Sequence, residues 1–250
     1  MSIHLEFINN QPSLKRLKLP TRYYHFNEGG NYIKLLSIGE GIFPKDRIQT
    51  SISLKNSDCV LTTESATKVY PSQKEYGISR FDFKLENNSN LEYINDELIL
   101  FKKSKLIQLL TLNADNESTF FYVDIMSRGR SYEYFDFDSL VVRNRFIIDG
   151  ELEYFENFSF DGETLKSYFK RHHSDEHLYS KIYIKNPDNE ALKTDLRDIG
   201  FESFSTTRRK KMLIGVLTGS NIGILKKSIS QVWKTYRMHL NKSSFDLGKQ

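Results

Sequence analysis

The stretch "ISRFDFKLENNSNLEYI", residues 78–94, carries the pattern that decides the fold. Polar and apolar side chains alternate from Arg80 to Leu85, an asparagine-rich segment follows at 86–90, and a second apolar run occupies Leu91–Ile94. Alternation places one face of an extended chain against a core, whereas asparagine and serine favour tight turns. The stretch therefore predicts two strands, Ile78–Leu85 and Leu91–Ile94, joined by a short turn.

The same strand–turn–strand pattern occurs in three places at intervals of roughly thirty residues, a spacing typical of stacked repeats. The three segments are "SLKNSDCVLTTES" (53–65), "KLENNSNLEYIND" (84–96) and "TLNADNESTFFYVDI" (111–125). Stacking would bring Glu64, Asn95 and Asp124 to similar positions in successive layers. A meander of hairpins could show the same similarity by chance, so both interpretations stay open.

Eighteen Phe and fourteen Tyr residues support a mainly β chain, because aromatic and β-branched side chains pack well on a pleated sheet. No helical periodicity is present up to residue 160. We predict a stacked, solenoid-like or multi-sheet β body. Its further strands are predicted at Tyr32–Leu36, Arg47–Leu54, Cys59–Thr63, Leu98–Phe101, Leu106–Leu112, Phe120–Ile125, Leu140–Ile148 and Leu152–Phe160.

The C-terminal part of the chain has a different pattern and predicts a small α/β layer with two helices. Asn186-Pro187 is typical of a helix start, an apolar stripe follows, and Gly200 is a natural helix end. Short strands are predicted at 201–205 and 208–217, and a final amphipathic helix runs from about 220 to 240. We predict a β body over residues 1–180 and a C-terminal layer over 181–250, packed together as one unit.

Composition excludes several classes of protein. The net charge is only +4, which is not the strongly basic balance of a dedicated nucleic-acid binder. Cys59 is the single cysteine, which fits a small buried residue in a reducing, cytoplasmic protein. We expect no membrane span and no secretion signal, since no apolar run is long enough. The basic run at 208–211, "RRKK", could contact phosphate, but a solvated strand edge is the commoner role. A nucleic-acid-binding module is therefore the third-ranked hypothesis.

Motifs of common enzyme classes are missing: the sequence contains no Walker A motif, no GxSxG, no CxxC and no HExxH. The densest group of metal-ligand types contains His172, His173 and His177, of which the last two would share one face of a helix. A solvated polar loop is the commoner role for such a run. Carboxylates such as Glu64 and Asp124 could serve acid–base chemistry on a carbohydrate, which is the main alternative among enzymes.

Polar residues interrupt the alternation in "LTTESATKVYPS", residues 61–72, and this segment resembles one that is typical of the urease accessory protein UreD (UreH) family. Further similar segments follow the family's order. "SIGEGIFPKDRI" (37–48) corresponds to the family's glycine-rich segment, which ends here in Asp46, although Pro44-Lys45 replaces the usual glycines. The others are "LEYINDELILF" (91–101), "VDIMSRGRS" (123–131), "FIIDGELEYFENFSF" (146–160) and "QVWKTYRMHL" (231–240).

The resemblance implies a scaffold rather than a catalyst. Proteins of this family bind the urease apoprotein, recruit UreF and the GTPase UreG, and are thought to conduct Ni²⁺ through a polar passage, with no tightly bound cofactor. On this sequence the passage residues would be Asp46, Thr67, Asp124 and Glu156, with Ser65 and Lys68 alongside. A cation in transit needs oxygen ligands that bind weakly enough to release it. Each residue could instead make structural hydrogen bonds between layers.

Overall fold

The computed structural model describes residues 2–27, 30–37, 41–172 and 176–248. Seventeen strands and three helices are formed in these ranges. The strands are β1 (Ser2–Ile8), β2 (Gln11–Lys18), β3 (Thr21–Phe26), β4 (Asn31–Ser37), β5 (Arg47–Lys55), β6 (Asp58–Thr63), β7 (Thr67–Val69), β8 (Gly77–Glu86), β9 (Asn90–Ile94), β10 (Leu98–Leu100), β11 (Lys105–Ala114), β12 (Thr119–Ser127), β13 (Ser139–Ile148), β14 (Glu151–Phe160), β15 (Leu178–Lys185), β16 (Phe204–Thr206) and β17 (Leu213–Gly219). The helices are α1 (Gly162–Arg171), α2 (Asn189–Asp198) and α3 (Ile222–His239).

The chain coils between two facing sheets. Sheet A has the strand order β14-β13-β11-β8-β5-β1-β2, and sheet B has the order β16-β17-β15-β12-β9-β6-β4-β3. Successive strands from β5 to β13 alternate between the sheets, with short β7 and β10 as side strands of sheet B, and neighbours within the coil are parallel. Each turn of the coil thus contributes one strand to each sheet. The predicted solenoid-like stacking is confirmed.

Hydrogen bonds between buried serines link the turns of successive coils into a ladder. The amide of Ser57 donates to Oγ of Ser89 (3.2 Å), and the amide of Ser89 donates to Oγ of Ser118 (3.1 Å). These serines are the residue shared by the three asparagine-rich turns seen in the sequence, and all three are buried. The ladder satisfies backbone groups that the turns would otherwise bury without partners. Asn87 and Asn88 adopt positive φ values (58° and 57°) in the middle turn, as asparagine allows.

The stacking register differs by one residue from the predicted one. Asp58 pairs with Asn90, and Asn90 pairs with Thr119. Continuing this register places Thr63 beside Asn95 and Asn95 beside Asp124, and the hydroxyl of Thr63 donates to Oδ1 of Asn95 (3.1 Å). Glu64 lies one residue further along, so the predicted row of Glu64, Asn95 and Asp124 is wrong at its first member.

The ten predicted strands up to residue 160 are all present, with ends within one or two residues of those predicted. β1, β2, β3, β7 and β15 were not predicted. The predicted strand 208–217 begins only at Leu213, because 208–211 form a turn in which Lys210 has a φ of 59°. The "RRKK" run is therefore a turn and not a strand edge, and Arg209 and Lys210 pair with Glu151 and Glu190.

The helices confirm the two predicted in the C-terminal layer and add a third. α1 was not predicted; Asp161 caps it by accepting a hydrogen bond from the amide of Thr164 (2.8 Å), and Phe169 stacks on Phe135. α2 is capped by Asp188 rather than by the predicted Asn186, since the Asp188 carboxylate accepts from two amides of the first turn. Gly200, with a φ of 95°, follows α2 as predicted.

The division of the chain at residue 180 stays a prediction. β15 spans Leu178–Lys185 and pairs with β12 on one side and β17 on the other, so residues from both parts contribute to sheet B. Helices α2 and α3 contact each other and the outer face of this sheet. In the described part of the chain, none of the helices is both long and apolar enough to span a bilayer.

Candidate functional site

The interior between the two sheets changes character along the strands. Near the asparagine-rich turns the inward side chains are apolar and tightly packed, as with Phe83, Leu112 and Phe146. Farther along the same strands, polar residues occupy the inward positions, so their side chains point to the same face of the sheet as the apolar ones. These buried polar residues are Thr50, Ser79, Gln108, Asn144 and Glu156. They line the sheet A side of a cavity of about 720 Å³.

A row of tyrosines separates the apolar core from the cavity. Tyr93, Tyr122 and Tyr183 lie in register on neighbouring strands of sheet B, with ring centroids 5.3 and 5.9 Å apart. Their rings pack against the core, while the hydroxyls of Tyr122 and Tyr183 donate to carboxylates of the cavity. Tyrosine suits this boundary because it has an apolar body and a polar tip.

Asp124 lies on the sheet B wall of the cavity. Its carboxylate accepts hydrogen bonds from the hydroxyl of Tyr122 (2.9 Å) and from Nε2 of Gln108 on sheet A (3.0 Å). Burial raises the pKa of Asp124 to about 7, and the nearby Glu156 carboxylate adds to the effect, while the two hydrogen bonds oppose it. Asp124 is only partly accessible, and it lines the cavity. It is thus a carboxyl group that can hold or release a proton near neutral pH.

Glu156 lies on the sheet A wall and has the richer set of partners. Its Oε1 accepts from the hydroxyl of Tyr183 and its Oε2 from that of Tyr154, both at 3.1 Å. Nζ of Lys181, from β15 on the opposite sheet, also donates to Oε2. Beside Glu156, Nδ2 of Asn144 donates to Tyr183 (3.1 Å), whereas Oδ1 of Asn144 has no hydrogen-bond partner among the described residues. The cavity therefore offers an unused buried acceptor next to a carboxylate.

The mouth of the cavity is formed by residues 64–68. Glu64, Ser65 and Lys68 are exposed and yet line the cavity, so this segment joins the interior to solvent. The amide of Ile42 donates to the Lys68 carbonyl and holds this segment in place. Gly41 allows that close approach, because a side chain there would come within 2.2 Å of the same carbonyl. Lys34 pairs with Glu64 at 3.4 Å.

The structure brings five of the six predicted passage residues to one cavity. Ser65, Thr67 and Lys68 lie at the mouth, and Asp124 and Glu156 lie inside. Asp46, the sixth, is not among the cavity-lining residues. Its carboxylate accepts from the amide of Phe43 (2.9 Å) within the turn that has Pro44-Lys45 at its centre, so it has a local structural role.

The predicted histidine group is placed only in part. His172 ends helix α1 and its ring lies 4.4 Å from that of Tyr168, while the amide of His177, in a non-helical segment, donates to the carbonyl of Gly219 (3.1 Å). His173 lies outside the described residues. Within the described ranges, no group of three or more His, Cys, Asp or Glu side chains is close enough to hold a metal ion. Cys59 is buried, as predicted, and burial raises the pKa of its thiol.

Several cavity residues were not singled out from the sequence, although a signal for them exists. Asn144 occupies an inward position between the buried apolar residues Val142 and Phe146 of β13, and Gln108 interrupts β11 in the same way. A polar side chain in phase with an apolar row indicates either a buried hydrogen-bond network or a polar cavity. Lys181 was missed because β15 was not predicted.

Fold and cavity together define a class of protein: a two-sheet β-solenoid whose cavity has carboxylates from both sheets in a largely apolar wall. A profile of the UreD urease accessory protein family matches residues 16–246. A urease accessory protein UreD of Aliarcobacter butzleri (strain RM4018) is 53% identical over 250 residues, which cover 100% of both chains. A UreD of Staphylococcus aureus (strain bovine RF122 / ET3-1) is 31% identical over 126 residues, 49% of this chain and 45% of that protein.

The chain belongs to the UreD family of urease accessory proteins. The resemblance inferred from the ordered sequence segments is thereby confirmed. These relatives are named as accessory proteins, which fits an interpretation as a maturation factor and does not support the alternative of a carbohydrate-active enzyme.

Proposed function

We propose that this protein acts in urease maturation as a scaffold whose interior passes Ni²⁺ towards the urease apoprotein. The observation that carries the proposal is the pair of carboxylates, Asp124 and Glu156, on facing walls of one 720 Å³ cavity with a polar mouth. Nickel is the cargo here, not a resident cofactor, and the proposal includes no catalytic step by this chain.

The chemistry of the wall suits a cation in transit. Divalent cations of this kind accept carboxylate, carbonyl and water oxygens, but they bind most firmly where imidazole and thiolate ligands converge. Among apolar side chains, the cavity supplies the carboxylates of Asp124 and Glu156 in its walls and of Glu64 at its mouth, with hydroxyl groups and the unused Asn144 oxygen. A route of this composition is attractive enough for a cation to enter and weak enough for it to leave, as conduction requires.

The proposed partners are the urease apoprotein, UreF and the GTPase UreG, and family membership is their support. A pull-down with the tagged full-length protein against each of the three, tested separately and together, checks this part. Retention of none of them would contradict the scaffold role. The protein is proposed to work in the cytoplasm, without nucleic acid or membrane as a partner.

The passage is tested by Asp124→Ala and Glu156→Ala in cells that produce urease. We expect both variants to fold and to co-purify with the partners, while the nickel content and the activity of urease fall severalfold, because the carboxylates that attract the cation are lost. Nickel in the purified urease is measured by atomic absorption. Glu117→Gln, which removes an exposed carboxylate outside the cavity lining, is the matched control. Fully nickel-loaded urease with both alanine variants would contradict the passage.

A further inference from the structure

Lys181 spans the interior between the two sheets. It is the direct cross-strand neighbour of Asp124 on sheet B, and its Nζ donates to Oε2 of Glu156 on sheet A. The same ammonium group lies 5.2 Å from the ring centroid of Phe158, a cation–π distance. A single lysine thus links the two carboxylate-bearing walls of the cavity.

The charges at this point are unequal. Asp124 receives its hydrogen bonds from the neutral groups of Tyr122 and Gln108, and Glu156 receives two of its own from tyrosine hydroxyls. Within the described residues, Lys181 is the cation that pairs with Glu156, and no cation lies within salt-bridge distance of Asp124. A buried carboxylate needs a nearby positive charge, so Glu156 depends on this ammonium group.

We infer that Lys181 is a tethered cation that competes with the metal cargo for Glu156, next to Asp124, an inference that rests on the proposed cation passage. The ammonium group already holds Oε2 of Glu156, an oxygen that an entering divalent cation needs as a ligand, so one must leave when the other arrives. Lysine suits this role because its charge sits on a flexible stem, and its side chain here keeps 19% of its surface exposed. The competition lowers the affinity for cargo and keeps the cavity from trapping it.

The test measures Ni²⁺ binding to the purified full-length protein by titration calorimetry, with the metal ion alone as the probe. Lys181→Met is expected to bind Ni²⁺ at least about tenfold more tightly than the wild-type protein, because an ammonium group close to a metal ion opposes its binding. Lys181→Arg keeps the charge and is expected to stay within about threefold of wild type. Equal or weaker binding by Lys181→Met overturns the inference.

A second readout separates competition from a merely structural role. Without metal, Lys181→Met is expected to have a lower melting temperature, because it leaves a buried carboxylate uncompensated. Ni²⁺ should restore much of that loss in Lys181→Met, but not in the double variant Lys181→Met with Glu156→Gln. Lys181→Gln, which keeps a hydrogen-bond donor, serves if the methionine variant does not fold. Failure of both to fold even with Ni²⁺ also overturns the inference, since the metal should replace the ammonium group.

The carboxylates themselves decide which proposal has failed. If Asp124→Asn and Glu156→Gln leave Ni²⁺ binding unchanged, the cavity is not a cation route and the proposed function fails together with the role of Lys181. If these two variants weaken binding while Lys181→Met does not strengthen it, the passage stands and only the competitor role is wrong.

Discussion

Two regions of the molecule bury a carboxylate beside a cation, and they lie on opposite faces of sheet B. On the outer face, under α3, Glu92 meets Arg237; on the inner face, in the cavity, Lys181 meets Glu156 of sheet A beside its cross-strand neighbour Asp124. Both regions place charge where water is scarce, which costs free energy unless partners compensate it. They differ in how completely the partners do so.

The Glu92 region is fully enclosed. Glu92 and Arg237 keep only 1% and 3% of their side-chain surface exposed, and the guanidinium Nη1 contacts both carboxylate oxygens, at 2.8 and 2.7 Å. Trp233 Nε1 and Asn90 Nδ2 also donate to Glu92, and Arg237 Nε donates to the carbonyl of Ser243. Because both carboxylate oxygens of Glu92 have buried donors from α3, this pair fixes α3 on the sheet.

The cavity region has one flexible ammonium group for two carboxylates and an unused acceptor on Asn144. Burial of a charge therefore does not by itself indicate function. A carboxylate whose donors are all rigid is structural, whereas one that shares a movable cation beside an open space can exchange that cation. The following changes test the contrast.

The largest effect is expected for Arg237→Met. Removing the guanidinium leaves Glu92 charged, buried and unpaired, which costs about 3 to 5 kcal/mol of the free energy of unfolding. Urea denaturation followed by circular dichroism measures it. Lys227→Met, an exposed lysine of the same helix, is the control and should cost less than about 0.5 kcal/mol. An equal, small effect of both substitutions would show that the enclosed pair is not structural.

Asp124→Asn in metal-free buffer is expected to raise the free energy of unfolding, by less than Arg237→Met lowers it. The pKa of Asp124 is about 7 in the folded protein and close to 4 in an unfolded chain, so the folded state binds this proton more tightly. The stabilisation from Asp124 is complete below about pH 4 and is lost as pH rises through about 7.

At pH 8 the asparagine variant should therefore be more stable than the wild-type protein, by at most about 4 kcal/mol, and the difference should vanish near pH 4. Denaturation at pH 4, 6 and 8 gives the profile. A variant that is less stable than wild type at pH 8 would place Asp124 in the same structural category as Glu92.

The smallest effect is expected for Lys226→Met, at an intermediate location. Lys226 on α3 pairs with the buried Asp96 (3.0 Å) and with Glu97 (3.1 Å), and Lys226 and Glu97 keep 19% and 18% of their side-chain surface exposed. Partial solvation leaves a loss of about 1 kcal/mol. High salt should reduce it further, because ions screen accessible charges. A loss that is large and independent of salt would mean that this group is as enclosed as the Glu92 pair.

Much of the fold could be predicted from the sequence because its determinants are local. Alternating residues such as Phe81 and Phe83 mark strands, and asparagines that tolerate positive φ mark the turns between them. α1 was missed because its signal is short: Asp161 as the cap and a few apolar residues, among them Phe169. The one-residue error at Glu64 arose because the stacking register depends on the serine ladder, which links residues about thirty positions apart.

The candidate site could be predicted only in part, because it is made by contacts between distant strands. Asp124 and Glu156 followed from the family resemblance, but their facing positions depend on the coil. Lys181 reaches Glu156 from the opposite sheet, a contact that no local pattern contains. For Asp46 the resemblance predicted too much. Its place in a similar segment suggested a passage residue, whereas its carboxylate accepts a hydrogen bond within the local turn.

Trp233 gives the enclosed region an optical consequence. It is the only tryptophan of the chain, it is buried at the contact of α3 with sheet B, and its ring packs edge-on against Phe245 of the C-terminal segment. Indole emission shifts to longer wavelength when the ring meets water. The intrinsic fluorescence of this protein is therefore a single-site reporter: it registers the detachment of one helix from the sheet, separately from events in the cavity on the other face.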